Sequence, residues 1–160
     1  MREGLYNIGI VSKTEFQKKK HFSQMTKREI VFLKTLVDCI GAVKLNIAPH
    51  LIHKAYEEIK YEKEDIIEAL KDSEIIEFNY INKEVYSDYR ILIKSNSLKQ
   101  ILFNKEGKSI LAYGRLCLVI SLKTFSIVTA YWNFDGDNHK TLNMDRYDKN
   151  IDILQLANIA

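Results

Sequence analysis

Cysteine, proline and glycine are scarce in this chain, and long apolar runs are missing. The 160 residues include two cysteines, one proline and six glycines. Cys39 and Cys117 form no Cys-x-x-Cys pair, which excludes the common zinc ribbons, and both lie in apolar runs. We therefore expect buried, reduced thiols in a cytoplasmic protein. No apolar stretch approaches the roughly 20 residues of a membrane helix, and the first residues lack an apolar signal region, so we expect no membrane partner.

The composition is that of a globular domain, with 46% hydrophobic and 28% charged residues. The net charge of +3 is too small to indicate a nucleic-acid partner, but its distribution is uneven. Residues 1–30 carry a net charge of +4, residues 31–95 of −3 and residues 96–160 of +2. Within the basic first part, the run from Lys18 to Lys20 either contacts phosphates or forms a solvated turn, and the second is the commoner case.

The first half of the chain predicts helices. Thr26 and Glu29 form a capping-box pattern before an apolar stripe of helical spacing, and Gly41 is expected to end this helix. A second helix is predicted from Pro49, whose fixed φ suits the first helical position. A third, short helix is predicted over residues 63–72. Its expected buried residues are Ile66, Ile67 and Leu70.

From residue 74 onward the pattern changes to short β-branched and aromatic segments, which are EIIEFNYI, DYRILIKS, KQILF, RLCLVISL and SIVTAYWN. The last two are separated by KTFS, which predicts a β-hairpin. Helices followed by an antiparallel meander predict an α+β fold, with N-terminal helices packed on a four- to five-stranded antiparallel sheet. We expect residues 1–45 to form an N-terminal extension with one helix, and residues 46–160 to form the main domain.

Two histidines and a lysine lie on one arc of the second predicted helix, opposite its apolar stripe. They are His50, His53 and Lys54, and such an arc is commonly a solvated polar face. The helix dipole favours a neutral His50, however, and a neutral imidazole can accept a proton as a general base does. No third ligand has a telling spacing, so we expect no metal site and no cofactor.

Alternation along DYRILIKS places Arg90 on the same sheet face as Leu92 and opposite Ile91 and Ile93. An arginine flanked by apolar residues is expensive to bury without a partner. Arg90 is therefore either a salt-bridge residue facing an edge or an anion binder, since its guanidinium suits phosphate.

The last predicted strand carries a row of polar side chains on one face, namely Thr129, Tyr131 and Asn133. Such a row is usually the solvent side of a sheet. It is also what the floor of a nucleotide-binding cleft needs, because it offers a hydroxyl, an aromatic ring for stacking and an amide. His139 and Lys140 follow in the loop that leaves this strand, and binding groups concentrate in such loops.

The segments from IAPHLIHKAYEEI through EIIEF, DYRILIKS and CLVISLKTFSIVTAYWN to DNHKTLNMDRYD resemble the barnase–EndoU–colicin–RelE (BECR) superfamily, and within it the nuclease-like proteins of phages and prophages. The match covers roughly residues 46–150. It implies that residues 46–160 form a nuclease-like domain that cleaves RNA without a metal ion, by attack of a 2′-hydroxyl on the adjacent phosphate.

Carried over by position, the resemblance gives His50 the role of base or acid, with His53 or His139 as its complement. Arg90, Lys54 and Lys140 would stabilise the negative charge of the transition state, and Thr129 would hydrogen-bond the scissile phosphate. These roles require His50, Arg90 and His139 to converge on one phosphate-sized pocket.

Two functions follow as expectations. The first is a small endoribonuclease, a toxin-like effector of a phage or mobile element that acts on RNA in the cytoplasm. The alternative is a catalytically silent, phage-encoded inhibitor or RNA-binding module on the same fold, in which the basic residues between Lys18 and Arg28 are the functional part. Its partner would be RNA, or a protein target or immunity partner.

Overall fold

The computed structural model describes residues 16–42, 62–83, 87–134 and 147–156. Within these ranges it contains six strands, three α-helices and one 3₁₀ turn. In chain order they are β1 (Phe16–His21), the 3₁₀ turn (Phe22–Gln24), α1 (Lys27–Ala42), α2 (Lys63–Lys71), β2 (Ser73–Asn82), β3 (Ser87–Ser95), β4 (Lys99–Lys105), β5 (Lys108–Ser121), β6 (Ser126–Phe134) and α3 (Ile153–Leu156). The predicted α+β class is confirmed.

The strands form one antiparallel sheet, in which β1 pairs with β2, β2 with β3 and β3 with β5. The long strand β5 also pairs with β4 and with β6. Gly114 of β5 lies between Lys99 of β4 and Phe134 of β6, so these two strands lie on opposite sides of β5. Residues 117–121 of β5 pair with β3 and also with β6, so β3 and β6 lie on opposite sides of β5. β3 is therefore on the same side of β5 as β4, and these two strands follow one another along it.

The architecture differs from the prediction in two respects. The sheet has six strands rather than four or five, and β1 precedes every described helix while α3 follows the sheet. The helices are therefore few and are not simply N-terminal. The missed strand is FQKKKH, whose three consecutive lysines hide the period-two pattern of a strand. The predicted strand at residues 5–11 and the predicted helix from Pro49 lie outside the described residues.

Two hairpins fix the register of β5. Glu106 and Gly107 connect β4 to β5, with φ angles of 53° and 76°. Positive φ at both central residues is the geometry of a two-residue type I′ turn, and it matches the twist of the flanking strands. The predicted hairpin around KTFS is confirmed, since Ser121 of β5 pairs with Ser126 of β6.

The main core lies between the helices and one face of the sheet. α1 contributes Leu33, Val37 and Ile40, and α2 contributes Ile66 and Leu70. The sheet contributes alternate residues from four strands, which are Phe78, Ile91, Ile93, Leu116, Leu118, Ile120, Ile127, Ala130 and Trp132. On the other face of the sheet, called the open face below, Ile76, Leu92 and Cys117 form a small apolar cluster with Phe22 and Val119 packed against it.

The capping box predicted at the start of α1 is present and is part of a larger polar cluster. Glu29 N–H donates to Thr26 Oγ1 at 3.1 Å, and Thr26 N–H donates to Glu29 Oε1 at 2.9 Å. The ammonium of Lys20 in β1 lies 2.9 Å from both carboxylate oxygens of Glu29 and donates to Ile151 O at 2.7 Å. Ile153 N–H donates to Glu29 Oε2 at 3.1 Å. This cluster joins β1, α1 and residues 151–153.

The protonation of Glu29 follows from these contacts. Burial would raise the pKa of its carboxyl, but the hydrogen bonds from the Thr26 backbone, the Lys20 ammonium and the Ile153 backbone stabilise the charged form. The combined effect of these hydrogen bonds on the pKa is larger than the effect of burial, so the pKa of Glu29 is lowered from its ordinary value. Lys20 and Glu29 are 5% and 3% exposed, so this is a buried ion pair.

Two predicted burials are wrong. Ile67 is 36% exposed, because the helical period turns it away from the face that buries Ile66 and Leu70. The Cys39 thiol lies on an exposed position of α1, whereas Cys117 is buried as expected. The division of the chain at residue 45 stays a prediction, but β1 and α1 share the sheet and the core of the later elements. No helix in the described part of the chain has the length and apolar character needed to cross a membrane.

Candidate nucleic-acid interface

The open face of the sheet contains a polar cleft of about 460 Å³. The face exists because alternate residues of β3, β5 and β6 point away from the helices, as the period of two requires. The predicted alternation is confirmed: Ile91 and Ile93 lie in the core while Arg90 and Leu92 line the cleft. The complete lining is Lys19, Glu77, Asn79, Arg90, Leu92, Val119, Thr129, Tyr131, Asn133 and Tyr147.

Four of the nine residues predicted from sequence therefore lie together in this cleft. They are Arg90 on β3 and the row of Thr129, Tyr131 and Asn133 on β6. Ala130 and Trp132, which alternate with this row, are buried in the core on the other side. The other five predicted residues lie outside the described residues: His50, His53, Lys54, His139 and Lys140.

The guanidinium of Arg90 is held by an ion pair with Asp88, which lies two residues away on the same strand. Its Nε donates to Asp88 Oδ2 at 3.0 Å, and Asp88 Oδ1 accepts the backbone N–H of Lys123 at 3.2 Å. Asp88 is 6% exposed, so the pair is anchored to the turn between β5 and β6. The salt-bridge interpretation of Arg90 corresponds to the contact of its Nε with Asp88. The anion-binding interpretation concerns the other end of the guanidinium. The two Nη groups have no hydrogen-bond partner within the described ranges and can bind an anion.

The β6 row offers three kinds of polar contact at different depths. The ring of Tyr131 is 37% exposed, which suits stacking against a planar group. The amide of Asn133 is 8% exposed and lies deeper. The hydroxyl of Thr129 lies opposite Val119 in the register of β5 and β6. A one-residue bulge at Val128 keeps this row on the open face while Ile127 turns into the core.

Glu77 occupies the side of the cleft next to β1. Its Oε1 accepts the hydroxyl of Tyr147 at 2.9 Å, and its Oε2 lies 3.7 Å from the ammonium of Lys19. Asp148 N–H in turn donates to Lys19 O at 2.6 Å, which fixes residues 147–148 along β1. The carboxylate is thus shared by a cation and a phenol.

Asn79 provides an unsatisfied group in the cleft. Its side-chain Oδ1 is buried and has no hydrogen-bond partner among the described residues. Buried polar groups are nearly always satisfied in native proteins, by protein, water or ligand. Asn79 therefore leaves one hydrogen-bond acceptor unused in the wall of the cleft.

Sequence patterns gave no indication of Glu77, Asn79 or Tyr147. They left Lys19 in a lysine run that either contacts phosphates or forms a solvated turn, and the turn is wrong because the run lies in β1. The signal for Lys19 was present, because a strand over FQKKKH would have separated the three lysines onto alternate faces. In the structure Lys19 lines the cleft, whereas Lys20 points into the core and pairs with Glu29. Tyr147 could not have been found, since only tertiary structure brings it to β1.

His21 lies close to this site but does not line the cleft, and its Nε2 is buried without a hydrogen-bond partner among the described residues. It is 3% exposed, stacks on Phe22 with a centroid distance of 4.2 Å and meets the edge of Tyr147 at 5.3 Å. Its Nδ1 lies 2.8 Å from Ser23 Oγ and accepts Ser23 N–H at 3.3 Å. No imidazole among the described residues lines the cleft. The described part of the cleft can therefore bind and orient an anion, and it holds no imidazole for proton transfer.

Comparisons with protein-family models, with curated proteins and with solved structures give no significant match to this chain.

Proposed function

We propose that this chain is an RNA-binding protein of the ribonuclease type, which binds single-stranded RNA in the open-face cleft and cleaves it without a metal ion. One observation carries the binding part of the proposal: Arg90, Thr129, Tyr131 and Asn133, which sequence alone suggested, line the same cleft. Their chemistry is that of RNA-binding surfaces, where cations hold phosphates and aromatic rings stack on unpaired bases.

The geometry supports different roles in RNA binding for the different residues of the cleft. The Nη groups of Arg90 donate to a phosphate oxygen, and because Nε is held by Asp88 the guanidinium needs little reorganisation on binding. The ring of Tyr131 stacks on a neighbouring base. Thr129 and Asn133, on the same strand, supply a hydroxyl and an amide for hydrogen bonds to ribose, phosphate or base edges.

Cleavage is the part of the proposal that depends on residues outside the described ranges. His50 removes the proton of a 2′-hydroxyl, whose oxygen forms a new bond to the adjacent phosphorus as the bond to the 5′-oxygen breaks. His53 or His139 protonates the leaving 5′-oxygen, so the products are a 2′,3′-cyclic phosphate and a free 5′-hydroxyl. Positioned proton transfer contributes about 10²–10⁴-fold to such a reaction. Arg90 and Lys54 or Lys140 stabilise the extra negative charge.

Binding is tested with a fluorescent, single-stranded RNA of about 12 nucleotides in EDTA, with anisotropy measured at about 50 and about 200 mM salt. We expect Arg90→Met to weaken binding about tenfold or more and to reduce the salt dependence by about one counterion. Tyr131→Leu, which leaves the Asp88 pair intact, should also weaken binding. The control is Arg28→Met, which removes one exposed cation from α1 on the other side of the sheet.

The outcomes separate the functions. Equal loss of affinity in the Arg28 and Arg90 variants would place binding on the N-terminal basic segment and refute the cleft. Cleavage is followed on the same RNA in EDTA, and a substrate with 2′-deoxyribose at the cut position should resist it. Wild-type protein that binds RNA and leaves it intact would be the catalytically silent form. Loss of cleavage with retained binding in His50→Ala would support the assigned base.

A further inference from the structure

The open face continues beyond the cleft along β5. Pairing of β5 with β4 and β6 has no register shift between Ser109 and Val119, so the alternation of side chains is unbroken there. Tyr113 and Arg115 therefore lie on the same face as Cys117 and Val119. Tyr113 is 50% exposed, and Gln100 Nε2 donates to its hydroxyl at 3.5 Å. A long hydrogen bond reaches the polar end of the ring, and the ring remains accessible to solvent.

Arg115 connects the cleft to Tyr113. It lies directly opposite Asn133, a lining residue of the cleft, in the register of β5 and β6. Its Nη1 makes a long, exposed hydrogen bond of 3.4 Å to Asn96 O. Lys94 of β3 lies opposite Cys117 and adds a second cation, although Glu74 is its neighbour on β2. The path from cleft to Tyr113 is thus lined by basic side chains.

We propose that an RNA strand bound in the cleft continues along β5, with a phosphate at Arg115 and a second base stacked on Tyr113. This inference rests on the proposed RNA function and extends it to a defined length of substrate. Tyr131 lies opposite Cys117, and Cys117 is four residues from Tyr113, or about 14 Å along the strand. Stacked bases in a helix rise about 3.4 Å per nucleotide, so this span corresponds to about four stacked steps, and an extended strand needs fewer nucleotides to reach both rings.

The competing occupant of this region is a protein. Leu102 and Leu111 lie beside Tyr113 on the β4–β5 hairpin and are 69% and 56% exposed. Stable protein interfaces bury about 800 Å² per partner, and three half-exposed side chains supply only a few hundred. Continuity with the cleft through Arg115, and the exposed face of the tyrosine ring, favour RNA over a protein partner at Tyr113.

The test measures affinity for single-stranded RNAs of increasing length, from about two to about eight nucleotides, with wild-type protein and three variants. For wild-type protein we expect affinity to rise as the strand becomes long enough to reach Tyr113. Tyr113→Leu should remove this gain, about 5- to 150-fold, and should leave binding of the shortest RNA unchanged. Tyr113→Phe should retain the gain because it keeps the ring. Leu111→Ala is the matched control, since it removes an exposed apolar neighbour without a π face.

Each outcome has a distinct meaning. If wild-type protein binds no RNA of any length, the proposed function itself fails. If it binds RNA but Tyr113→Leu behaves as wild type at every length, the extended path is refuted while the cleft stands. Equal losses in Tyr113→Leu and Leu111→Ala, accompanied by reduced self-association in sedimentation, would instead identify the hairpin as a protein interface and overturn the inference.

Discussion

The buried pair of Lys20 and Glu29 makes a quantitative prediction about the stability of the fold. Two substitutions break it with little change of shape: Lys20→Met and Glu29→Gln. The Lys20 ammonium donates to both oxygens of Glu29 and to Ile151 O, and Glu29 also accepts backbone N–H groups from Thr26 and Ile153. Each substitution therefore leaves a charge or several polar groups without a partner in the interior.

The expected cost is about 3–5 kcal/mol for each single variant, since removal of one partner leaves an uncompensated buried charge. Glu29→Gln should be the more damaging, because the ammonium loses the negative charge and one of its two acceptor oxygens at position 29, and the new NH2 group faces a backbone N–H donor. In Lys20→Met the carboxylate still accepts two backbone N–H groups, so we expect the lower end of the range. The double variant should be more stable than the sum of the two losses predicts, by about 2 kcal/mol, because neither charge remains.

The measurement is urea unfolding followed by circular dichroism, with unchanged m-values as the condition for comparison. Lys27→Met, an exposed lysine at the start of α1, serves as the control and should change the free energy of unfolding by less than about 0.5 kcal/mol. Two single variants that unfold within 0.5 kcal/mol of wild type, or whose effects simply add, would contradict a buried, coupled pair.

Two further predictions concern pH and packing. Because the folded-state pKa of Glu29 is lowered, its contribution to stability is complete above the ordinary value of 4.5 and is lost as the pH falls through the lower folded value. The difference in urea midpoint between wild type and Glu29→Gln should therefore shrink between about pH 6 and about pH 3. Gly114→Ala should lower Tm and cost about 1–2 kcal/mol, because the new Cβ would lie 3.2 Å from both Asn133 O and the Phe134 ring. An unchanged Tm would mean that the backbone and the ring around Gly114, which lies between β4 and β6, move aside at little cost.

Sequence periodicity was sufficient for the parts of the fold in which local pattern and tertiary structure agree. The alternation that separates Arg90 from Ile91, and Tyr131 from Trp132, is a direct consequence of the pleat. The capping box of Thr26 and Glu29 is equally local. For this reason sequence alone predicts four residues of the cleft, namely Arg90, Thr129, Tyr131 and Asn133.

Sequence patterns could not predict the contacts between residues that lie far apart in the chain. Glu29 was expected to cap a helix, but its ion pair with Lys20 requires β1, which the lysine run concealed. Ile153 and Tyr147 reach their partners Glu29 and Glu77 from the far end of the chain. The bulges near Ile76 and Val128 also have no local signature, although each changes which side chain faces the cleft.

Residues 147–153 cross the outer edge of the sheet like a strap. At one end the Tyr147 hydroxyl reaches Glu77 in the cleft, and at the other end Ile151 O and Ile153 N–H are bound to the buried Lys20–Glu29 pair. The same seven residues therefore wall the cleft on one side of β1 and seal the core on the other. A protease cut within the strap would open both at once, so cleft occupancy and resistance to proteolysis should rise and fall together.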